Sequence, residues 1–277
     1  MTRPAVMTAY IDPQTPQQFT SVAGYTLADG TPAINFACIF AGNYAASTSP
    51  YLRANNNNPP TTNPFNPNIQ QVLSDGSVQV LQQAGLKVLL TVTNGWASVG
   101  WSEFTSESDA TDFAQYLAGI VSQYGLDGID IDDEYSSGTP NDTSLIMVTT
   151  ILKQQMPGKL ITKALFDDYQ YFQATWNGNT LAQNLDYGWE MSYGGSPQYR
   201  LVPYTQFGSA NSLTPAQLSC GFWASQPSAD PDADIQWLED NGYAGAMIYA
   251  FQEQSNVDLM GQLVNDWYGP GNWNPPA

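Results

Sequence analysis

A closed (β/α)8 barrel is the fold class the sequence predicts, on three observations. Short runs rich in β-branched and aromatic residues alternate with helical patterns, the signature of βα units on a parallel sheet. Eight such runs occur. A length of 277 residues is also ordinary for one barrel. The strand-like runs are Val6 to Ile11, Ile34 to Phe40, Val88 to Val92, Gly128 to Asp132, Leu160 to Leu165, Tyr187 to Ser192, Leu218 to Trp223 and Ala246 to Phe251.

Helical patterns are clearest at Asn68 to Ala84, Ser108 to Tyr124, Asp142 to Gln155, Asp232 to Asn241 and Asn256 to Trp267. In the third, Leu145, Val148, Ile151 and Leu152 share one face. Asp167 to Leu185 and Gly194 to Pro215 are instead rich in Gly, Asn, Gln, Tyr and Pro, so the helix ring should be incomplete around strands five to seven. Asn55 to Asn68, with Pro59, Pro60, Pro64 and Pro67, reads as an exposed loop after the second strand, neither helix nor central strand. No tandem repeat or linker divides the chain, and one domain over residues 1–277 is expected.

Hydrophobic residues make up 42% of the chain and aromatic residues 13%, enough to bury a substantial core. Lys and Arg number 7 against 25 Asp and Glu, a net charge of -18. Such a chain repels phosphate backbones, so nucleic acid and anionic membrane are poor partners and a neutral ligand such as sugar fits better. No apolar run reaches the roughly 18 residues of a membrane span, and the start, Met1-Thr-Arg-Pro4, lacks a charged-then-apolar leader. The expectation is a mature form of a secreted protein, acting as a monomer. Cys38 and Cys220 each sit inside a strand-like run, and two buried free thiols are expected rather than a disulfide. Asn141-Asp-Thr143 is a glycosylation sequon, relevant only in a eukaryotic secretory host.

The chemistry centres on Asp127-Gly-Ile-Asp130-Ile-Asp132-Asp133-Glu134. Alternate side chains of a strand share a face, so Asp130, Asp132 and Glu134 point one way and Ile129 and Ile131 the other. In a barrel the isoleucines pack on the helices and the acids line the interior. Burying a row of carboxylates is costly unless protons or hydrogen bonds are shared, which calls for a functional reason. Neighbouring carboxyls on one strand face lie about 6 to 7 Å apart, close enough for repulsion to hold a proton on one of them. Glu134 comes last, at the C-terminal strand end where barrel enzymes place their active sites. It is the candidate acid, with Asp132 beside it and Asp130 deeper as a proton partner. A calcium loop is a poor rival, because the positions requiring Gly and Glu hold Tyr135 and Asn141. A solvated acidic turn would not place isoleucines between the acids in strict alternation.

This acid motif resembles the signature of glycoside hydrolase family 18. Tyr124-Gly-Leu126, Tyr135, Tyr25-Thr-Leu-Ala-Asp-Gly30, Ile39-Phe-Ala41 with Asn43, Leu81 to Leu90 and Pro140 to Ser144 resemble more closely its endo-β-N-acetylglucosaminidases, the endoglycosidase H branch. The resemblance spans most of the chain. It implies a substrate-assisted, retaining glycosidase without metal or other cofactor, outside the two-carboxylate scheme common to glycosidases. By the resemblance, Glu134 protonates the leaving oxygen and the substrate's own 2-acetamido oxygen attacks the anomeric carbon. Asp132 orients that acetamide, Asp130 holds a shared proton, and Glu134 then activates water or a sugar hydroxyl. Tyr193, in Met191-Ser-Tyr193, matches the family's acetamide-binding tyrosine, and Tyr10 and Tyr249 match aromatics of the sugar pocket.

The remaining sugar-binding candidates are Phe40, Asn94, Trp96, Met191, Trp189 and Trp223; Trp101 also lies beyond a strand end. For each aromatic, ordinary core packing is the competing reading. Thr91 to Trp96 departs from the family's small-residue motif, and the loops Tyr44 to Asn68 and Gly194 to Pro215 have no counterpart in the resemblance. The expected substrate is the chitobiose core of N-linked glycans, high-mannose by resemblance. Chitinase activity is the alternative within the family, though no inserted domain precedes the last strands. A non-catalytic lectin or inhibitor on the same barrel is the third, although such proteins typically lose the Glu or Asp that this chain keeps at 134 and 132.

Overall fold

The computed structural model of the chain describes residues 5–43, 65–93, 100–134 and 138–276. Eight parallel strands close into a barrel in chain order: β1 Thr8–Ile11, β2 Phe36–Asn43, β3 Lys87–Thr93, β4 Gly128–Ile131, β5 Leu160–Leu165, β6 Tyr187–Glu190, β7 Leu218–Phe222 and β8 Gly245–Ile248, which pairs back on β1. The helices are α1 Pro16–Thr20, α2 Pro67–Ser74, α3 Ser77–Gln83, α4 Glu107–Tyr124, α5 Ser144–Gln155, α6 Leu181–Asn184, α7 Pro197–Leu201, α8 Pro231–Asp240 and α9 Gln254–Tyr268. A short antiparallel pair, Thr26–Leu27 with Trp273–Asn274, ties the C-terminal segment to the loop after α1.

All eight predicted runs become barrel strands, with shifts of a few residues at their ends. Strand alternation divides the apolar residues into two clusters. Tyr10, Phe36, Cys38, Leu89, Trp189 and Met247 fill the barrel interior. Ile129, Ile131, Leu90, Ile161 and Cys220 belong to the larger cluster shared with the helices. The two thiols therefore lie on opposite faces of the barrel wall, and both are buried and free, as expected.

The helical expectations hold with one correction. Asn68 to Ala84 is two helices rather than one, because Gly76 adopts φ 94, a left-handed conformation that ends α2 and restarts the chain as α3. The first of these begins at Pro67, inside the segment expected to be loop, with the Asn66 side chain accepting from the Ile69 amide. Proline suits that first turn because its missing N–H has no helical partner there. The rest of that loop, 55–64, lies outside the described residues.

The helix ring is reduced where expected. Between β5 and β6 stand one short 3-10 turn, Tyr169–Phe172, and the four-residue α6; between β6 and β7 stand α7 and the 3-10 turns Val202–Thr205 and Pro215–Gln217. Even so, α5 is buried on more than its predicted face, since every residue from Ser144 to Leu152 is buried. The polar groups so enclosed are satisfied by α6, whose Asn184 amide donates to Thr149 and Thr150 hydroxyls at 2.9 Å each. The Asn141 side chain is likewise used locally, accepting from the Ser144 amide at 2.9 Å and donating to the Phe104 carbonyl. Among the described residues, no helix is long and apolar enough to cross a membrane.

Gly128 opens β4 against β5 so closely that a Cβ there would lie 2.0 Å from the Leu160 carbonyl oxygen. Gly128→Ala should therefore destabilise the barrel by about 3 kcal/mol or more in urea unfolding. Gly119→Ala, on an open stretch of α4 with nothing within 4 Å, should stabilise it by about 0.5 to 1 kcal/mol.

Candidate active site

The acid row begins inside the barrel. Asp130 is fully buried and accepts from donors on other strands: Tyr10 Oη at 2.6 Å, Thr91 Oγ1 at 2.9 Å, Thr162 Oγ1 at 2.5 Å and Trp189 Nε1 at 3.0 Å. Two donors serve each oxygen, so the neighbourhood solvates a carboxylate in place of water. Burial raises the Asp130 pKa above the usual range, and these four hydrogen bonds pull against it. Strand register explains the convergence, since Thr91, Asp130 and Thr162 are direct neighbours across β3, β4 and β5.

One step further out, Asp132 is 2% exposed, and its Oδ1 has no hydrogen-bond partner among the described residues. Burial first, then the nearby Glu134, Asp130 and Asp133, push it well above the ordinary carboxyl range. Burial and like charge thus disfavour the ionised form of Asp132. Glu134, half-buried, follows at the mouth. Asp133 faces the opposite way, with Ser102 as its hydrogen-bond partner. Behind the wall, the ammonium of buried Lys163 bonds Asp168 at 2.9 Å and offsets some of the row's charge.

Asp132 and Glu134 line a cavity of about 470 Å³ with Tyr10, Phe40, Ala164, Phe166, Met191, Ser192, Tyr193, Trp223, Gln226, Met247 and Tyr249. Its aromatic floor is continuous: Tyr193 packs on Trp223 and Tyr249, Trp223 on Tyr249, Tyr249 on Phe40, and Phe40 on Tyr10, with ring centroids 5.5 to 6.2 Å apart. Burial raises the Tyr193 pKa, as do Tyr249 and Asp132 beside it, so the phenol keeps its proton and remains a donor.

Backbone strain collects at this rim. Asp167, Tyr193 and Ala250 take φ of 51, 45 and 54 just beyond the ends of β5, β6 and β8, conformations that cost a non-glycine residue about 1 kcal/mol or more. The Tyr193 loop is braced from below by buried Arg200, which pairs with Glu190 and donates to the carbonyls of Glu190, Gly195 and Gly221. Gly221 leaves room for the tyrosine, whose ring edge would lie 3.2 Å from a Cβ at that position.

The structure thus brings together Asp132, Glu134, Tyr193, Tyr10, Phe40, Met191, Trp223 and Tyr249 around one cavity, with Asp130 beneath it. Two expectations need correction. Trp189 is wholly buried in the barrel interior and donates to Asp130, so it offers no face to a sugar. Trp101 is 1% exposed, packs edge-on against Phe113 and donates to the Val92 carbonyl, which makes it a core residue. Asn94 and Trp96, and Tyr135 of the motif, lie outside the described residues. Sequence reasoning missed Thr91 and Thr162, which hold Asp130, and Ala164 and Phe166, which flank the outer acids. No sequence signal marked them: Thr162, Ala164 and Phe166 gain their meaning only from the register of β5 against β4, and Thr91 from that of β3 against β4.

Comparison with known proteins agrees with this geometry. Residues 75–218 match the family model for glycosyl hydrolases family 18. An endo-beta-N-acetylglucosaminidase of Flavobacterium sp. (strain SK1022) is 35% identical over 186 residues, 64% of this chain and 55% of that protein. The chain thus spans little more than half of that relative's length. Endo-beta-N-acetylglucosaminidase F1 of Elizabethkingia meningoseptica is 27% identical over 84% of this chain and 68% of its own. The crystal structure of Bacteroides thetaiotamicron EndoBT-3987 with Man5GlcNAc product superposes with a TM-score of 0.75 at 21% identity, covering 98% of this chain and 62% of that one, a likeness of fold.

The Asp132 shift has a consequence for stability. A carboxyl raised by folding contributes stability below its unfolded value, ordinarily 3.8, and loses it as pH rises through the folded value. Asp132→Asn should therefore melt higher than the wild type by about 2 °C or more once pH exceeds the folded-state pKa of Asp132. Differential scanning calorimetry should find that advantage shrinking as pH falls toward the acid range.

Proposed function

Because this chain belongs to glycosyl hydrolases family 18, and is thereby a glycoside hydrolase, we propose that it is a secreted endo-β-N-acetylglucosaminidase. Its substrate is the GlcNAc-β-1,4-GlcNAc bond in the chitobiose core of N-linked glycans, of high-mannose type. The observation that carries this reading is the ordered row itself: a hydrogen-bonded Asp130, a buried Asp132 whose Oδ1 has no partner among the described residues, and Glu134 at the mouth of an aromatic cavity. The names of the two curated relatives, and the glycan product carried by the structural neighbour, support the substrate class over chitin.

The reaction follows from the residues in turn. One N-acetylglucosamine lies on the floor of Tyr193, Tyr249 and Trp223, with its 2-acetamido group beside Asp132 and small Ala164. The acetamide N–H donates to Asp132 and favours its ionised form, and the shared proton passes to Glu134. Glu134 protonates the glycosidic oxygen while the acetamide oxygen bonds to the anomeric carbon and the C–O bond to the leaving sugar breaks. Tyr193, kept as a phenol, donates to the acetamide oxygen and aims it. The resulting oxazolinium ion carries its positive charge beside Asp132, whose electrostatic stabilisation is largest in this water-poor site. Water then attacks the same carbon from the side the leaving group vacated, giving its proton to Glu134, while the bond from that carbon to the acetamide oxygen breaks and restores the acetamide, and configuration is retained. Asp130, held in place by four donors, sets the layer beneath Asp132 and disfavours its ionised form until the acetamide N–H binds.

Glu134→Gln should lower kcat by about 10² to 10⁴, the usual worth of a positioned general acid, and Asp132→Asn should slow oxazoline formation comparably. Intact-mass spectrometry of a high-mannose glycoprotein beside a complex-type one tests the assignment. The expected product is a high-mannose glycoprotein bearing one N-acetylglucosamine per site; a product bearing none, or two, contradicts it.

A further inference from the structure

Phe166 is a large apolar side chain left in water, 53% exposed, yet it lines the cavity of the acid row. Its position is not loose. The Phe166 amide donates to Asp168 Oδ2 at 2.8 Å, and the same oxygen accepts from Lys163 Nζ at 2.9 Å. Lys163 is 1% exposed, Asp168 is 7% exposed, and Lys163 also donates to the Ala164 carbonyl at 2.8 Å. A buried ion pair thus clamps the turn, with Asp167 between at φ 51, so that the residue before it is pushed outward. Among the described residues Phe166 has no ring neighbour, unlike the aromatics of the floor.

Register says where the ring stands. Thr162 pairs with Asp130 and Lys163 with Ile131. Continuing the same parallel register sets Ala164 beside Asp132 and Phe166 beside Glu134, with neighbouring strands about 4.8 Å apart. On and just beyond β4 and β5, side chains therefore rise in three layers: Asp130 with Thr162, then Asp132 with Ala164, then Glu134 with Phe166. The middle layer leaves space for the acetamide. The outer layer is where the leaving oxygen must meet Glu134, so the sugar attached to that oxygen lies over Phe166. An exposed aromatic face suits the apolar C–H face of a pyranose, which it covers without demanding a hydrogen bond.

We propose that Phe166 is the platform for the leaving N-acetylglucosamine, the one that stays on the protein, and hence for any sugar acceptor that re-enters in place of water. This rests on the activity proposed above. The same side chain then governs how the oxazoline partitions. With an acceptor stacked on Phe166, its 4-hydroxyl bonds to the anomeric carbon, the oxazoline C–O bond breaks to restore the acetamide, and the hydroxyl proton goes to Glu134. Without it, water takes that place.

The test uses the whole enzyme with a preformed high-mannose oxazoline and a peptide carrying a single N-acetylglucosamine. For Phe166→Ala the ratio of transfer to hydrolysis should fall about tenfold relative to wild type, and kcat/KM on the intact glycopeptide should fall with it. Phe166→Tyr, which keeps the ring, should restore the ratio. An unchanged ratio in Phe166→Ala overturns the platform while leaving the activity standing. A wild-type enzyme that leaves both oxazoline and glycopeptide intact overturns the activity and the platform together.

Discussion

Four strands send one side chain each to the Asp130 carboxylate: Tyr10 from β1, Thr91 from β3, Thr162 from β5 and Trp189 from β6. The rest of the site depends on this arrangement. A carboxyl at the centre of a barrel is tolerable only where protein dipoles replace its water, and these donors offset part of the cost of its burial. They also fix its place, since shifting any one of the four strands would break a hydrogen bond that water cannot restore. The barrel interior is thus held by a polar hub within an apolar cluster, and that hub sets the electrostatic conditions for everything above it.

With negative charge fixed beneath it and Glu134 above, Asp132 has little reason to ionise, and its unpaired oxygen shows that no neighbouring donor among the described residues pays for the charge. In the proposed reaction a proton held there is the one passed to Glu134. The outer wall answers the same problem differently. Asp133, which alternation turns away from the cavity, feels the charge of buried Lys163, and the lysine in turn fastens Asp168 and the Phe166 turn. One strand register therefore couples the charge balance of the acids to the position of an aromatic at the rim.

Much of this was legible before the fold was seen. Alternation alone separates Asp130 and Asp132 from Ile129 and Ile131, and the eight apolar runs locate the wall. What alternation does not reveal is depth. Trp189 and Tyr193 lie on the same short segment, but one is sealed under the cavity and the other lines it, because strand stagger sets which layer each residue enters. Thr91 and Thr162 were invisible for another reason: threonine is a common strand residue, and its hydroxyl has meaning only once Asp130 stands next to it. Gly76 divided a helix whose apolar period ran on past it, and short α6 sealed a face of α5 that its own sequence left ambiguous.

Carbon-13 NMR of the aspartate carboxyls, followed through a pH titration of the free enzyme and of Asp132→Asn, measures the retained proton directly. The account predicts one carboxyl in the wild type that remains protonated well into the range where ordinary aspartates are ionised, and whose resonance vanishes in the variant. If every aspartate carboxyl in the wild type has ionised by about pH 5, Asp132 holds no proton to share, and the proposed handover to Glu134 is wrong.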